Sequence, residues 1–327
     1  MFSFGKSKKI ANIVIDDYVI RLVQNNGHDF ESIKLIAEKA LPLNLVENGM
    51  IVDELAFYDF MKELVREWGI RNNQVRFFVP DSLIIVRTID IPKKVEASEW
   101  KEYLYMEIGH TIHFPFKNPV LDIYTSVETE EAHKVTVVAA PEEEIIKYVS
   151  TFEDASLKPN NVGIQALGVY RYFLHQQQEQ IGAEKVFLFA EFNLSSVNIS
   201  IFREENFEFH RHQLLNIDTK DWEATGEGLL NWHYTGDQQQ LTGEINDQLN
   251  ELERLLNFYR FSIHQGDIFV TDIVLLGDFP NLHEVARRIK DGYEQKLTLL
   301  STENTDITIP VSDAFIPVLG LAIKGGK

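Results

Sequence analysis

Apolar and polar residues alternate along the first half of the chain in a way that predicts a mixed α/β structure. Runs with a two-residue period predict a strand pair or one long strand over 10–24, and single strands over 33–40, 75–79, 83–89, 120–127 and 134–140. Apolar residues spaced three and four apart predict helices over 53–68, 98–112, 141–152 and 165–177, and a loop is expected over 157–163. Asp53 is expected to cap the first of these helices.

The helix expected at 98–112 carries a clear stripe on one face. The stripe consists of Trp100, Tyr103, Leu104, Glu107, Ile108, Thr111 and Ile112. Ser98 is expected to cap the start of this helix, and Pro115 and Pro119 are expected to end it before the next strand.

The second half of the chain repeats the pattern of the first. Three strands joined by short turns are predicted over 186–190, 197–202 and 207–213, and a buried strand over 272–276. Helices are predicted over 244–261 and 282–290, whereas 216–242 is polar and is expected to be an irregular loop. A repeated unit of this kind indicates a duplicated, two-lobed α/β fold.

Composition excludes several classes of function. The chain has 327 residues, 50 acidic against 31 basic ones, and a net charge of -19, which opposes binding to nucleic-acid phosphates. It has no cysteine, so disulfides and thiolate metal sites are excluded. No apolar run has the length needed to span a bilayer, and residues 1–10 do not have the pattern of a signal peptide, so a cytoplasmic location is expected.

Several short motifs stand in a fixed order along the chain. They include Arg21-Leu22-Val23, then I-P at 91, E-I at 107, H-F-P-F at 113 and L-D-I-Y at 121, and finally G-L-A-I-K-G at 320–325. This series resembles the PilM family of type IV pilus assembly proteins, which are relatives of the cell-division protein FtsA.

The resemblance implies an actin-like (ribonuclease H-like) fold in which the α/β unit is duplicated in two lobes. The first lobe is expected at 1–185, with an inserted α/β subdomain at about 85–158, and the second lobe at 186–327. A C-terminal helix at about 312–324 is expected to pack back on the first lobe.

Actin-like proteins hold ATP and Mg²⁺ between the lobes, where glycine hairpins let backbone N–H groups approach the phosphates. The equivalent positions of this chain depart from that pattern and predict a degenerate nucleotide site. They are Val14 in place of the metal-side aspartate, Asp16 and Asn193 in place of glycines, Glu191 in place of an aspartate, and a shortened third turn at Gly277 and Asp278. We therefore expect no cofactor and no catalytic residue. The alternative is an active protein of the same group, whose ATP state gates partner binding or polymerisation.

The resemblance also implies a partner. PilM proteins bind the N-terminal cytoplasmic tail of the inner-membrane protein PilN and connect it to the pilus motor, at the inner face of the cell membrane. The corresponding groove is expected near Val79, Arg87, Ile108, Phe114 and Pro115. The chain is thus expected to be an adaptor and a pseudo-ATPase of a pilus, DNA-uptake or secretion machine, without insertion into the membrane. A sugar-kinase-type enzyme on the same fold is a further alternative, for which a catalytic acid is lacking.

Other residue groups have simpler interpretations. His210 and His212 alternate on a predicted strand and would be a metal pair only with a third ligand, so two ordinary surface histidines are expected. Glu142-Glu143-Glu144 fits the first turn of a helix. The chain has neither a G-x-x-x-x-G-K-[ST] loop nor a G-x-S-x-G elbow. No metal site is predicted.

Overall fold

A computed structural model describes residues 9–177, 182, 184–226, 228–303 and 305–323. It has two five-stranded sheets with helices on their faces, and a smaller three-stranded sheet. None of the described helices is both long and apolar enough to cross a membrane.

The first lobe is built on a sheet in the order β10-β6-β1-β2-β3. Its strands are β1 (Ile10–Asp16), β2 (Val19–Asn25), β3 (Ile33–Ala40), β6 (Gln74–Val79) and β10 (Lys158–Ile164). The first three are antiparallel, and β6 runs parallel to both β1 and β10. Helices α1 (Glu54–Glu67) and α3 (Glu142–Asp154) cover one face, and α4 (Gln165–Gln176) lies on the other. As expected, the Asp53 side chain caps α1, by accepting a hydrogen bond from the Ala56 N–H.

The second lobe repeats this topology in the order β13-β12-β11-β16-β17. Its elements are β11 (Val186–Phe192), β12 (Ser196–Arg203), β13 (Asn206–Leu214), α5 (Gln238–Asn257), β16 (Asp272–Leu276), α6 (Leu282–Gly292) and β17 (Lys296–Leu299). Again the first three strands are antiparallel and the last two run parallel to the first. The predicted duplicated, two-lobed α/β fold is confirmed.

The three-stranded sheet lies within the first lobe, between β6 and α3. It contains β7 (Ile85–Pro92), β8 (Pro119–Glu128) and β9 (Ala132–Pro141), in the order β7-β9-β8, and α2 (Trp100–Glu107) covers one face. The next helix, α3, buries Tyr148 and Phe152 in the core beneath the first-lobe sheet. The inserted subdomain therefore packs as a separate unit only as far as Pro141, whereas it was expected to extend to about 158.

The predicted helix at 98–112 is wrong in its length. Helix α2 ends at Glu107, and Gly109 has a φ of +85°, which ends helical geometry and suits glycine. Ser98 lies in a 3₁₀ turn and does not cap the helix. Ile112 is still buried among the subdomain's apolar residues, but from a loop that bridges back to Ile108. Residues spaced three and four apart predicted one long helix, but here they belong to a short helix and to the tight turn that follows it.

Other predictions of irregular structure are also wrong. The expected loop at 157–163 is strand β10, whose polar, mostly exposed residues form the edge of the first sheet. The polar segment 216–242 contains the hairpin β14 (Trp222–Thr225) and β15 (Asn231–Tyr234), and α5 already starts at Gln238. Helix α5 continues as a π-helical turn, Phe258–Ile263. The short pair β4 (Val46–Glu47) and β5 (Met50–Ile51), like β17, had no predicted counterpart.

The final helix, α7 (Ile316–Ala322), packs against α4, β1 and β2 of the first lobe, and each of its residues is buried. Gly320 allows the close approach, because a Cβ at this position would lie 1.9 Å from the Gly168 carbonyl oxygen. The helix is shorter than the expected 312–324, and residue 324 lies outside the described residues.

Candidate functional site

The cleft between the lobes contains a buried ion pair. Arg21 Nη2 lies 2.6 Å from Asp278 Oδ2, and the two side chains are only 5% and 3% exposed. Arg21 also contacts Glu38 at 3.0 Å and Asp16 at 3.6 Å. The Tyr18 hydroxyl lies within hydrogen-bond distance of both Asp278 carboxylate oxygens, at 2.8 and 2.7 Å. Since Asp278 is the only second-lobe residue of this group, the pair joins the lobes directly.

The β14–β15 hairpin extends this contact. The Leu230 N–H donates to Glu38, which already accepts from Arg21, and the Trp232 ring meets Tyr18 edge-on with centroids 5.3 Å apart. The segment 216–242 was predicted to be an irregular loop. It instead contains a second-lobe hairpin that packs on the first lobe beside the ion pair.

The charges of this cluster are strongly coupled. Burial acts to lower the pKa of Arg21, but the carboxylates around it outweigh this effect and raise the pKa well above its usual range. Burial raises the pKa of Asp16 to about 8, although Arg21 opposes the rise. Asp16 is therefore largely protonated at neutral pH. Its neighbour Asp17 is held by the N–H groups of Asn48 and Gly49, at 2.8 and 2.9 Å.

The hairpin of β11 and β12 contains the buried carboxyl group of Glu191, which accepts hydrogen bonds from two side-chain amides. Glu191 accepts from Gln165 Nε2 at 2.9 Å and from Asn193 Nδ2 at 3.3 Å. Burial raises the pKa of Glu191 to about 7, and the hydrogen bonds partly oppose this rise. Gln165 begins α4 of the first lobe, so this contact also joins the two lobes.

The turn after β16, which contains Gly277, is held in place by close packing against β11. Gly277 has a φ of +125°, and a Cβ there would lie 1.9 Å from the Phe192 carbonyl oxygen. The backbone of the turn therefore lies directly on β11, and glycine is required for this approach. The turn places the following residue, Asp278, against Arg21.

His210 and His212 are not surface residues, and that expectation was wrong. The His210 side chain is 2% exposed and lies 3.7 Å from Asp81. Asn198 donates to Asp81 at 2.8 Å, and His212 Nδ1 lies 2.7 Å from the Asn198 side-chain oxygen. Burial lowers the pKa of each histidine to about 4, so both are neutral at pH 7. Among the described residues, no group of three His, Asp or Glu could hold a metal ion.

Two adjoining cavities lie between the lobes, with volumes of about 550 Å³ and about 30 Å³, and both are lined by Asp17, Asn48, Ser195 and Leu214. The smaller cavity lies beside the β1–β2 hairpin and is well below the about 300–1,000 Å³ that small-molecule sites typically occupy. Its wall includes Val14, Asp16, Asp17, Val79, Asp81, Gln165 and Asn198. The Val14 side chain has no oxygen that could bind Mg²⁺, and carboxyl and amide oxygens of its neighbours line the smaller cavity.

The structure brings together only part of the expected partner groove. The Arg87 guanidinium lies 5.5 Å from the Phe114 ring, and Ile108 and Phe114 both pack against the subdomain core. Pro115 is exposed beside them. Val79 belongs instead to the large cluster between the lobes and lines the cleft cavity.

Several residues of the cleft belong to no motif of the sequence that predicts a site. They are Glu38, Asp81, Gln165 and Asn198, and Arg21 stands in a motif that does not reveal its ion pairs. Arg21 and Asn198 still carry a signal, since each is a polar residue inside a strongly apolar strand pattern, which calls for a buried partner.

Comparison with known proteins gives an independent measure of the fold. The profile of the family described as type IV pilus assembly protein PilM matches residues 13–216, which is more than half of the chain. A structure of a PilM–PilN type IV pilus biogenesis complex is 20% identical, with a TM-score of 0.71, over 96% of this chain and 97% of its own. No significant match was found among curated proteins.

MreB5 of Spiroplasma citri bound to ADP is a more distant likeness. It is 8% identical, with a TM-score of 0.50, over 97% of this chain and 95% of its own. Together the two structures establish that the duplicated fold is actin-like.

Proposed function

We infer that this chain acts as an adaptor in a type IV pilus assembly machine, since it belongs to the PilM family of type IV pilus assembly proteins. The adaptor binds the short N-terminal tail of a PilN-like membrane protein and so stays at the inner face of the cell membrane, on the cytoplasmic side. The observation that carries the partner assignment is the likeness, over nearly the full length of both chains, to a PilM that was solved with PilN.

The tail is proposed to bind along the three-stranded sheet of the insertion. Strand β7 is an outer strand of this sheet, so one edge of its backbone is available for pairing with an extended peptide. Arg87 lies on this strand, and its guanidinium stacks near Phe114, which also stacks with Phe116 at 5.8 Å. These aromatic rings and Ile108 would supply the apolar pockets for side chains of the tail.

The adaptor is proposed to work without nucleotide, as a pseudo-ATPase. In an ATP-gated relative, the ligand would hold the two lobes together, whereas here the buried pair of Arg21 and Asp278 occupies that role. Asp16 and Glu191 place acidic groups in the cleft, and Val14 offers no ligand to Mg²⁺. These features support a constitutive adaptor over a nucleotide-gated one, and over a kinase-type enzyme.

The test is binding of a fluorescent peptide with the sequence of a PilN N-terminal tail, measured by anisotropy. Replacing Ile108→Asp and Phe114→Asp together should abolish saturable binding, because both side chains line the proposed pockets. The control is Phe261→Asp, which changes a 57% exposed aromatic residue of the second lobe. Binding that survives the double substitution would refute this placement. A wild-type protein that fails to bind the peptide would refute the partner.

A further inference from the structure

A second cavity lies on the first lobe, away from the interlobe cleft, with a volume of about 330 Å³. It is bounded by β6, the β2–β3 loop, β10, α4 and the end of α7. The lining residues are His28, Arg76, Asn160, Asn161, Arg171, Leu321 and Ile323. None of them lines the cavity between the lobes.

The charge of this cavity is opposite to that of the molecule. The chain has a net charge of -19, yet two arginines and no acidic residue line the cavity. Among the described residues, neither Arg76 nor Arg171 forms an ion pair with a carboxylate. Arg171 Nη1 donates to the Gly320 carbonyl at 2.9 Å, and the Arg76 guanidinium lies 3.4–3.5 Å from His28 Nδ1.

The guanidinium groups of Arg76 and Arg171 repel each other. Burial lowers the pKa of Arg76, and the positive charge of Arg171 lowers it further. Burial also lowers the pKa of Arg171, with partial compensation from Tyr124. Both groups remain charged at neutral pH. Arg21, in contrast, has three carboxylates around it. A bound anion would supply the missing negative charge.

We propose that the cavity formed by His28, Arg76, Asn160, Asn161 and Arg171 binds a phosphate group, either as inorganic phosphate or as a small phosphate monoester. Two unpaired guanidinium groups match the charge of a phosphate dianion, whereas one carboxylate would neutralise only one of them. Each guanidinium is a planar donor suited to two oxygens of the same anion, and the asparagine amides add neutral donors. The cavity shares no lining residue with the smaller interlobe cavity or with the proposed tail groove.

The experiment is calorimetric titration of the whole chain with sodium phosphate, glycerol 3-phosphate and sodium acetate at matched ionic strength. Saturable binding of phosphate or of glycerol 3-phosphate, with no comparable binding of acetate, is the expected result. The stronger of the two ligands then identifies whether the site takes the free ion or the monoester. Binding of acetate as tight as that of the phosphate ligands, or no saturable binding of either phosphate or glycerol 3-phosphate at millimolar concentration, would overturn the proposal.

Substitutions then locate the binding. Arg76→Gln and Arg171→Gln should each weaken binding about tenfold or more, because each removes charge-assisted hydrogen bonds. Arg254→Gln, which removes the same charge from a side chain that is 78% exposed on α5, should leave binding unchanged. Arg171 also donates a hydrogen bond to the Gly320 carbonyl, so its replacement could unfold the protein. In that case the affinity of the Arg76→Gln variant alone tests where phosphate binds. Equal affinity of Arg76→Gln and Arg254→Gln would place the ligand elsewhere.

Discussion

Arg21 in strand β2 and Asp278 in the turn after β16 form an ion pair of 2.6 Å that is almost fully buried between the two lobes. The two residues are 257 positions apart in the chain. Their contact joins the two lobes directly through side chains.

Replacing Asp278→Asn should strongly destabilise the fold. Breaking one side of a buried pair leaves the other charge uncompensated, which typically costs about 3–5 kcal/mol, and the remaining ion pair of Arg21 with Glu38 favours the lower end of this range. The free energy of unfolding should be measured by urea denaturation. Asp218→Asn is the matched control, since it breaks an exposed ion pair with Lys220 and should leave the urea midpoint almost unchanged. Equal midpoints for both variants would mean that the buried pair does not hold the lobes.

The buried acids should make stability fall as the pH rises above 6.5. The pKa of Asp16 is raised from 3.8 to about 8 and that of Glu191 from 4.5 to about 7, and the pKa of Asp81 is raised as well. Between the ordinary and the raised pKa, the folded protein keeps a proton that the unfolded chain has released. Stability from these groups is therefore complete below their ordinary pKa and is lost as the pH rises through the raised one.

His210 and His212 act in the opposite direction, because their pKa is lowered from 6.5 to about 4. They oppose the acids between pH 4 and 6.5, and above that only the acids contribute. Urea denaturation between pH 6.5 and 8 should show a loss of at most about 1.4 kcal/mol per pH unit for each group. Asp16→Asn should flatten this slope, while the exposed control Asp122→Asn should keep it. A wild-type stability that rises over this range would contradict the assigned directions.

Gly277→Ala should destabilise the protein by a steric effect that does not depend on nucleotide. The added Cβ would meet the Phe192 carbonyl at a φ of +125°, and strain of this type costs about 1–3 kcal/mol. Gly292→Ala is the control, because a Cβ at the end of α6 meets no atom within 4 Å. Thermal unfolding should separate the two variants. A Gly277→Ala protein as stable as Gly292→Ala would show that the turn can move away from β11.

The sequence was sufficient to predict the two lobes because duplicated alternation of apolar residues leaves few alternatives. It also located the β1–β2 hairpin, whose first strand contains Val14 and Asp16, and the β11–β12 hairpin, whose turn contains Asn193. It could not show what those hairpins contact, because Arg21 and Asp278 meet only through tertiary structure. Spacing likewise could not distinguish a long helix from a helix followed by the Gly109 turn, since Ile112 is buried in either case.

At two places polar composition predicts a loop where the structure has strands. The exposed residues of β10 form a sheet edge, and the polar segment around 222–234 forms a hairpin whose Trp232 packs on Tyr18. In both cases the strand is stabilised by its neighbours, so its own composition contains little information.

The most direct test of the account is calorimetric titration of the purified chain with Mg-ATP, together with a thermal-shift measurement. We expect no saturable heat and no shift at millimolar ATP, because Val14 offers no ligand to Mg²⁺ and Asp16 and Glu191 stand at positions of the cleft where an ATP-binding relative is expected to have glycine and aspartate. A ligand present at about a hundred times its dissociation constant would add about 2.7 kcal/mol of stability, which the shift would register. Micromolar binding of Mg-ATP would contradict the account and would favour an adaptor that is gated by nucleotide.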